Sequence, residues 1–173
     1  MTLRHFPTLA ATTFLALAGC ATTTPRGNAT VQLTPAAGSQ VTGTLTAMPM
    51  GNGVHLTGNI AGLAPGSTHA FHIHEKGDCS AADFTSAGGH FNPTAQPHGR
   101  AAQGVHHMGD SDNLVADAQG VARVDAHFKG VVIGGGALND VLGKAVIVHA
   151  GADDYTTQPT GNAGGRIACG VIR

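Results

Sequence analysis

The chain has 173 residues, with nine Lys and Arg against ten Asp and Glu, a formal charge of −1 with His neutral, no Trp and a single Tyr. That length forms one domain around one core, and the absence of a basic run or an aromatic platform excludes a nucleic-acid-binding surface. Eleven histidines are the compositional excess that calls for explanation.

The first residues read as an export signal. Arg4 and His5 form a short positive region, and the mostly apolar run from Leu9 to Leu17 is too short to span a bilayer. Leu17-Ala18-Gly19-Cys20 resembles the bacterial lipobox, in which cleavage precedes the cysteine and the cysteine carries lipid. Residues 1–19 are therefore expected to be a lipoprotein signal peptide and Cys20 the lipidated first residue of the mature chain. The alternative is an ordinary secretory signal in which Cys20 is incidental. Acyl chains bury roughly 0.8 kcal/mol per CH₂, so several on one cysteine anchor a domain firmly. Residues 20–29 continue as a small, polar tether without apolar periodicity. Without Arg4, eight cationic residues face ten acidic ones, a charge of −2. With Cys20 assigned to lipid, Cys79 and Cys169 remain as an even pair and are disulfide candidates, 90 residues apart. Such a bridge is worth roughly 4 kcal/mol or more in the chain-entropy picture and implies an oxidising compartment. Two buried free thiols are the alternative.

Residues 30–173 form the expected domain, and in it the apolar pattern is short and mostly of period two, broken by Gly, Pro, Asn and Asp. Strands are expected at Val31–Leu33, Val41–Leu45, Val54–Leu56, Ala70–His74, Leu114–Asp117, Val121–Phe128, Ala145–His149 and Arg166–Ile172. About eight antiparallel strands without a helical stripe predict an all-β Greek-key sandwich or flattened barrel. Residues 75–112 and 150–165 interrupt the rhythm as two long loops, a length that is usually functional or disordered.

The histidines follow a pattern. In Phe71-His72-Ile73-His74 the two imidazoles share one face of an extended strand and suit one metal ion, while Phe71 and Ile73 turn to the core. Alternation on a solvated face would produce the same spelling. The first long loop adds His90, His98, His107 and Asp110. Three imidazoles and a carboxylate form a closed tetrahedral set suited to structural zinc. Ligation would also order a loop that has no apolar pattern of its own. His106 stands beside His107, but the spacings to His98 and Asp110 favour His107. His55, His69 and His127 read as surface or partly buried polar residues.

These segments, together with Gly77-Asp78-Cys79, Gly89-His90-Phe91-Asn92-Pro93, His98-Gly99, His107-Met108-Gly109-Asp110, Val148-His149, Ala152-Asp153-Asp154 and the run from Gly161 to Ile172, resemble the copper/zinc superoxide dismutases over nearly all of the chain from about Thr30. Glu75-Lys76-Gly77-Asp78-Cys79 resembles the exported bacterial branch. The resemblance implies the sandwich architecture, and one copper and one zinc per subunit. It places copper on His72, His74, His90 and His149, and zinc on His90, His98, His107 and Asp110, with His90 shared. Four nitrogens in a distorted square plane also suit Cu(II) on chemical grounds. By the same resemblance Asp153 orients His72 and His98, Cys79 pairs with Cys169, and His90 and Arg166 act in catalysis, Arg166 by attracting the anion.

The implied reaction converts superoxide to dioxygen and hydrogen peroxide by alternate reduction and oxidation of copper, with zinc holding the shared His90. The expected setting is the cell envelope of a Gram-negative type of bacterium, with the enzyme lipid-anchored at the membrane, facing the periplasm and protecting the envelope from superoxide. The family contains monomers and dimers, so a homodimer stays open. The loop from Gly151 to Gly165 carries Asp153 and Asp154 but no Lys, which leaves steering of the substrate to Arg166 and more distant cations. A metal-storing domain without turnover is the competing reading.

Overall fold

A computed structural model describes Met1 and residues 27–173. Cys20 and most of the expected signal and tether lie outside the described residues. The strands are β1 (Ala29–Pro35), β2 (Thr42–Met50), β3 (Gly53–Ala61), β4 (Thr68–His69), β5 (Phe71–His74), β6 (Leu114–Val115), β7 (Ala122–Lys129), β8 (Ala145–His149) and β9 (Arg166–Val171). One 3₁₀ turn, Thr85–Ala87, is the only helical element among the described residues.

Period-two alternation decides which face is buried. Ala29, Val31 and Leu33 of β1, Leu45 and Ala47 of β2, Val54, Leu56 and Ile60 of β3, and Ala122, Val124 and Phe128 of β7 point inward, and their neighbours along each strand are largely outward. All pairings are antiparallel, in the order β5-β8-β9-β1-β2-β3-β7, with β4 and β6 paired separately. That small pair joins the two ends of the large sheet: β4 leads through Ala70 into β5, and β6 is tied to β7 by the Ala116–Ala122 bridge. The sheet therefore curls toward closure as the expected flattened barrel.

The strand expectations hold in position and differ in extent. β2 and β3 run to Met50 and Ala61, beyond the apolar cores visible in the sequence, because their outward polar residues still pair along the full ladder. The two-residue strand β4 adds a ninth strand, too short to give a pattern. Residues 130–144 form a third long connection, with Val132 and Asp140 bridged across it. In β5 and β8 every residue is buried, so His72 and His74 do not lie on a solvated face.

Cys79 and Cys169 are joined by a disulfide. It ties the first long loop to β9 and packs with Phe84, Ala87, Ala145 and Ile147 in a small second core. Since the loop closed spans 90 residues, Cys79→Ser or Cys169→Ser is expected to lower unfolding free energy by about 2–5 kcal/mol, measured by urea denaturation of variant against parent under non-reducing conditions.

Candidate metal centre

The ladder between β5 and β8 pairs His72 with Ile147 and His74 with Ala145. His149 ends β8 at an irregularity: Val148 pairs with Ala168, yet His149 pairs with Arg166 rather than with Ile167. This bulge, a device that re-aims side chains, sets Arg166 directly opposite His149. His90 reaches the same place through an isolated bridge to His74. His72, His74, His90 and His149 offer one ring nitrogen each within 4.8 Å of one another, and so do His90, His98 and His107 together with a carboxylate oxygen of Asp110. All seven residues are buried, and His90 belongs to both groups. His106 belongs to neither; its Nδ1 turns 2.6 Å to the carbonyl of His107.

The second nitrogen of most rings is fixed by a hydrogen bond, and that determines what the first can do. His74 donates from Nδ1 to the Gly88 carbonyl at 2.9 Å and His149 from Nδ1 to that of Gly164 at 3.3 Å. Their Nε2 atoms then carry bare lone pairs, which face each other at 3.4 Å. His72 donates from Nε2 to Asp153 Oδ2 at 2.8 Å and His98 from Nε2 to Asp153 Oδ1 at 2.9 Å. Their Nδ1 atoms are buried without a hydrogen-bond partner, as is Nε2 of His90. His98 Nδ1 lies 3.0 Å from Asp110 Oδ2 without the direction of a hydrogen bond. Around His90 Nδ1, Asp110 Oδ1 lies at 2.7 Å and His107 Nδ1 at 3.3 Å, and the last two are themselves 3.3 Å apart. A tetrahedral ion with bonds of about 2.0–2.1 Å has donor–donor edges of about 3.3–3.4 Å, close to the His107 separations. Convergent lone pairs in a buried site repel one another unless a cation sits among them, so both donor sets fit metal ions.

Electrostatics follows from burial. Desolvation, with the neighbouring imidazoles and Arg166 adding to it, lowers His74 to about 2 and His149 to about 3. Burial also lowers His90, to about 4, against the pull of Asp110. These rings stay neutral and ready to ligate. Burial lowers His98 too, but its contacts with Asp110 and Asp153 outweigh that and raise it to about 9. Asp110 and Asp153 are raised by burial and lowered more strongly by their histidine partners, so both remain carboxylates.

The family described as copper/zinc superoxide dismutase (SODC) matches residues 40–172. The chain belongs to the copper/zinc superoxide dismutase family. It is 42% identical over 137 residues to "Superoxide dismutase [Cu-Zn] 2" of Aquifex aeolicus, covering 78% of this chain and 80% of that one. It is 42% identical to "Superoxide dismutase [Cu-Zn]" of Caulobacter vibrioides, covering 76% and 78%. The crystal structure of a SOD-like protein from Bacillus subtilis superposes with a TM-score of 0.74 at 37% identity, covering 83% of this chain and 97% of that one. Membership makes the protein an oxidoreductase whose cofactors are copper and zinc.

Several supporting residues carry no signal in the sequence. Asn113 holds the backbone of Asp153 from both sides, accepting from its N–H at 2.8 Å and donating to its carbonyl at 2.9 Å. Gln158 does the same for His98, at 2.8 and 2.9 Å. His69, buried, donates from Nδ1 to the carbonyl of His149 at 2.8 Å. Only the three-dimensional meeting of segments that are 40 to 80 residues apart reveals these partners.

Two outcomes follow. His74, His90 and His149 gain protons on unfolding below their ordinary 6.5, so metal-free stability falls as pH drops from 6.5 toward 4. The raised His98 acts oppositely: its contribution is complete below 6.5 and is lost as pH rises through about 9. The urea midpoint of the metal-free protein should therefore peak near pH 6.5, and a maximum at either extreme would contradict these shifts. Gly161 has φ +67°, and a Cβ there would overlap Asp153 Oδ1 and crowd His98 Nε2. Gly161→Ala should accordingly weaken zinc binding by about 10–100-fold, read by competition with a chromogenic chelator.

Proposed function

We propose that the protein disproportionates superoxide, with copper on His72, His74, His90 and His149 and zinc on His90, His98, His107 and Asp110. The observation that carries this is the ring of His90, which belongs to both donor sets, with Nδ1 against Asp110 and Nε2 buried without a hydrogen-bond partner. Bound copper supplies the one-electron change of oxidation state that zinc lacks. Two superoxide ions and two protons give one dioxygen and one hydrogen peroxide, so the protein must dock an anion and deliver protons.

Arg166 docks the anion. Its guanidinium donates to the carbonyls of Phe84 at 2.5 Å and Gly88 at 2.6 Å, which fixes it beside His149 while leaving it partly exposed. The Gly88 carbonyl also accepts from His74, so one peptide group positions both the cation and a copper donor. Arg166 borders an open depression of about 410 Å³ with Asp83, Thr85, Gly164 and Gly165. A permanent cation in a cleft raises the encounter rate of small anions.

His90 handles a proton. With Nδ1 held against Asp110 on the zinc side, its unpartnered Nε2 is the atom that would hold a proton for delivery to the substrate. Asp153 keeps His72 and His98 in fixed tautomers and makes the two sites one hydrogen-bonded unit.

The same reading places residues 1–19 as a lipoprotein signal peptide, Cys20 as the lipidated residue, 20–29 as the tether and 30–173 as the enzyme, exported to the periplasmic side of a Gram-negative envelope. Its role there is protection of the envelope from superoxide. The Cys79–Cys169 disulfide supports an oxidising compartment.

Pulse radiolysis of the copper- and zinc-loaded protein should show rapid superoxide decay. His149→Ala should abolish it, and equal rates in variant and parent would remove the enzymatic reading. Arg166→Gln should reduce the rate by roughly 10-fold or more and flatten its dependence on ionic strength. Labelled palmitate should enter the chain expressed in a Gram-negative host and be absent from Cys20→Ser.

A further inference from the structure

Four buried ring nitrogens among the described residues lack a hydrogen-bond partner. Three of them, on His72, His90 and His98, belong to the metal centre already described. The fourth, Nδ1 of His55, belongs to neither donor set. His55 sits on β3 between the inward-pointing Val54 and Leu56, on the outer face of the sheet, in direct register with Met48 of β2 and His127 of β7. A thioether and two imidazoles thus form a row across three strands.

The hydrogen-bond pattern of His55 resembles that of His72, although its carboxylate partner is exposed where that of His72 is buried. His72 Nε2 lies 2.8 Å from Asp153 and its Nδ1 is free; His55 Nε2 lies 2.8 Å from Asp125 Oδ1 and its Nδ1 is free. A carboxylate only accepts, so the proton of the neutral ring is on Nε2 and the bare lone pair on Nδ1. A carboxylate–histidine pair with the opposite nitrogen unpartnered is the arrangement that orients metal-binding imidazoles. An ordinary surface pair would leave Nδ1 in water, whereas this side chain is only 14% exposed.

The rings of His55 and His127 lie 6.1 Å apart. As direct cross-strand partners on the same face, the two rings are near neighbours. His127 is exposed, and its one side-chain contact, to Asn52 Oδ1, is long at 3.3 Å. A cavity of about 300 Å³ on the far side of His127 is bordered by Asp125, His127 and Arg123, so the exposed end of the row is open to solvent.

We propose that His55 and His127 form a second, peripheral copper site on the outer face of β2, β3 and β7, with Asp125 orienting His55 and Met48 flanking it. Two imidazoles with a carboxylate behind them bind Cu(II) above other first-row divalent ions, and the thioether adds affinity for Cu(I). The site is separate from the dismutase centre and its test does not depend on turnover.

The test uses the full chain already carrying one copper and one zinc, titrated with Cu(II) under equilibrium dialysis and followed by electron paramagnetic resonance. One further copper should bind, with a second spectrum showing coupling to two imidazole nitrogens. His127→Gln changes an exposed side chain, so it separates loss of a ligand from loss of fold; it and His55→Gln should each remove the second spectrum. Asp125→Asn should weaken the further copper by about 10–100-fold, while the first copper spectrum stays unchanged in all three variants. The proposal is overturned if the loaded parent takes up no further copper, or if the second spectrum persists in either histidine variant.

Discussion

Bare lone pairs aimed at one another inside a folded domain are the constraint on which the rest of this structure depends. His74 and His149 face each other through Nε2 at 3.4 Å, and His90, His107 and Asp110 crowd around one point on the other side of the shared ring. Buried polar atoms without partners destabilise a fold, and here several are concentrated in one place. Two cations relieve the conflict at once. Metal binding to these donors would thereby be coupled to folding free energy.

The barrel supplies the rigid half of the arrangement. β5 and β8 present His72, His74 and His149 from a hydrogen-bonded ladder, and the bulge at Val148/His149 turns Arg166 toward the last of these. The loops supply the other half and are joined both to the sheet and to each other. Asp153 from the second loop holds a strand histidine and a first-loop histidine, and Gln158 clasps the backbone of His98. The disulfide fixes the stretch of loop that carries Phe84 and Gly88, whose carbonyls pin Arg166. The Arg166 guanidinium, a donor histidine and the covalent brace thus meet within a few residues.

Much of this could be read from the chain alone, for definable reasons. Strand positions follow from period-two burial, and the His72/His74 pair from the same rule applied to one strand. Spacing favours His107 over His106, and in the structure the His106 ring turns to a neighbouring carbonyl. What stayed hidden depends on contacts between distant segments. The full burial of β5 comes from loops that fold over it. Strand β4 is too short for a pattern, and Asn113, Gln158 and His69 are ordinary polar residues until their backbone partners are in place. His55 reads as a surface histidine because neither Asp125 nor the missing partner of Nδ1 is adjacent to it in sequence.

The central claim is that the ring of His90 joins two metal ions. Anomalous diffraction at the copper and zinc absorption edges, from crystals of the oxidised, fully loaded protein, addresses it directly. The account predicts copper within bonding distance of Nε2 and zinc within bonding distance of Nδ1 of that one ring, each at about 2.0–2.1 Å. A loaded structure in which His90 contacts only one metal, or in which either ion lies outside the seven donors, would contradict it.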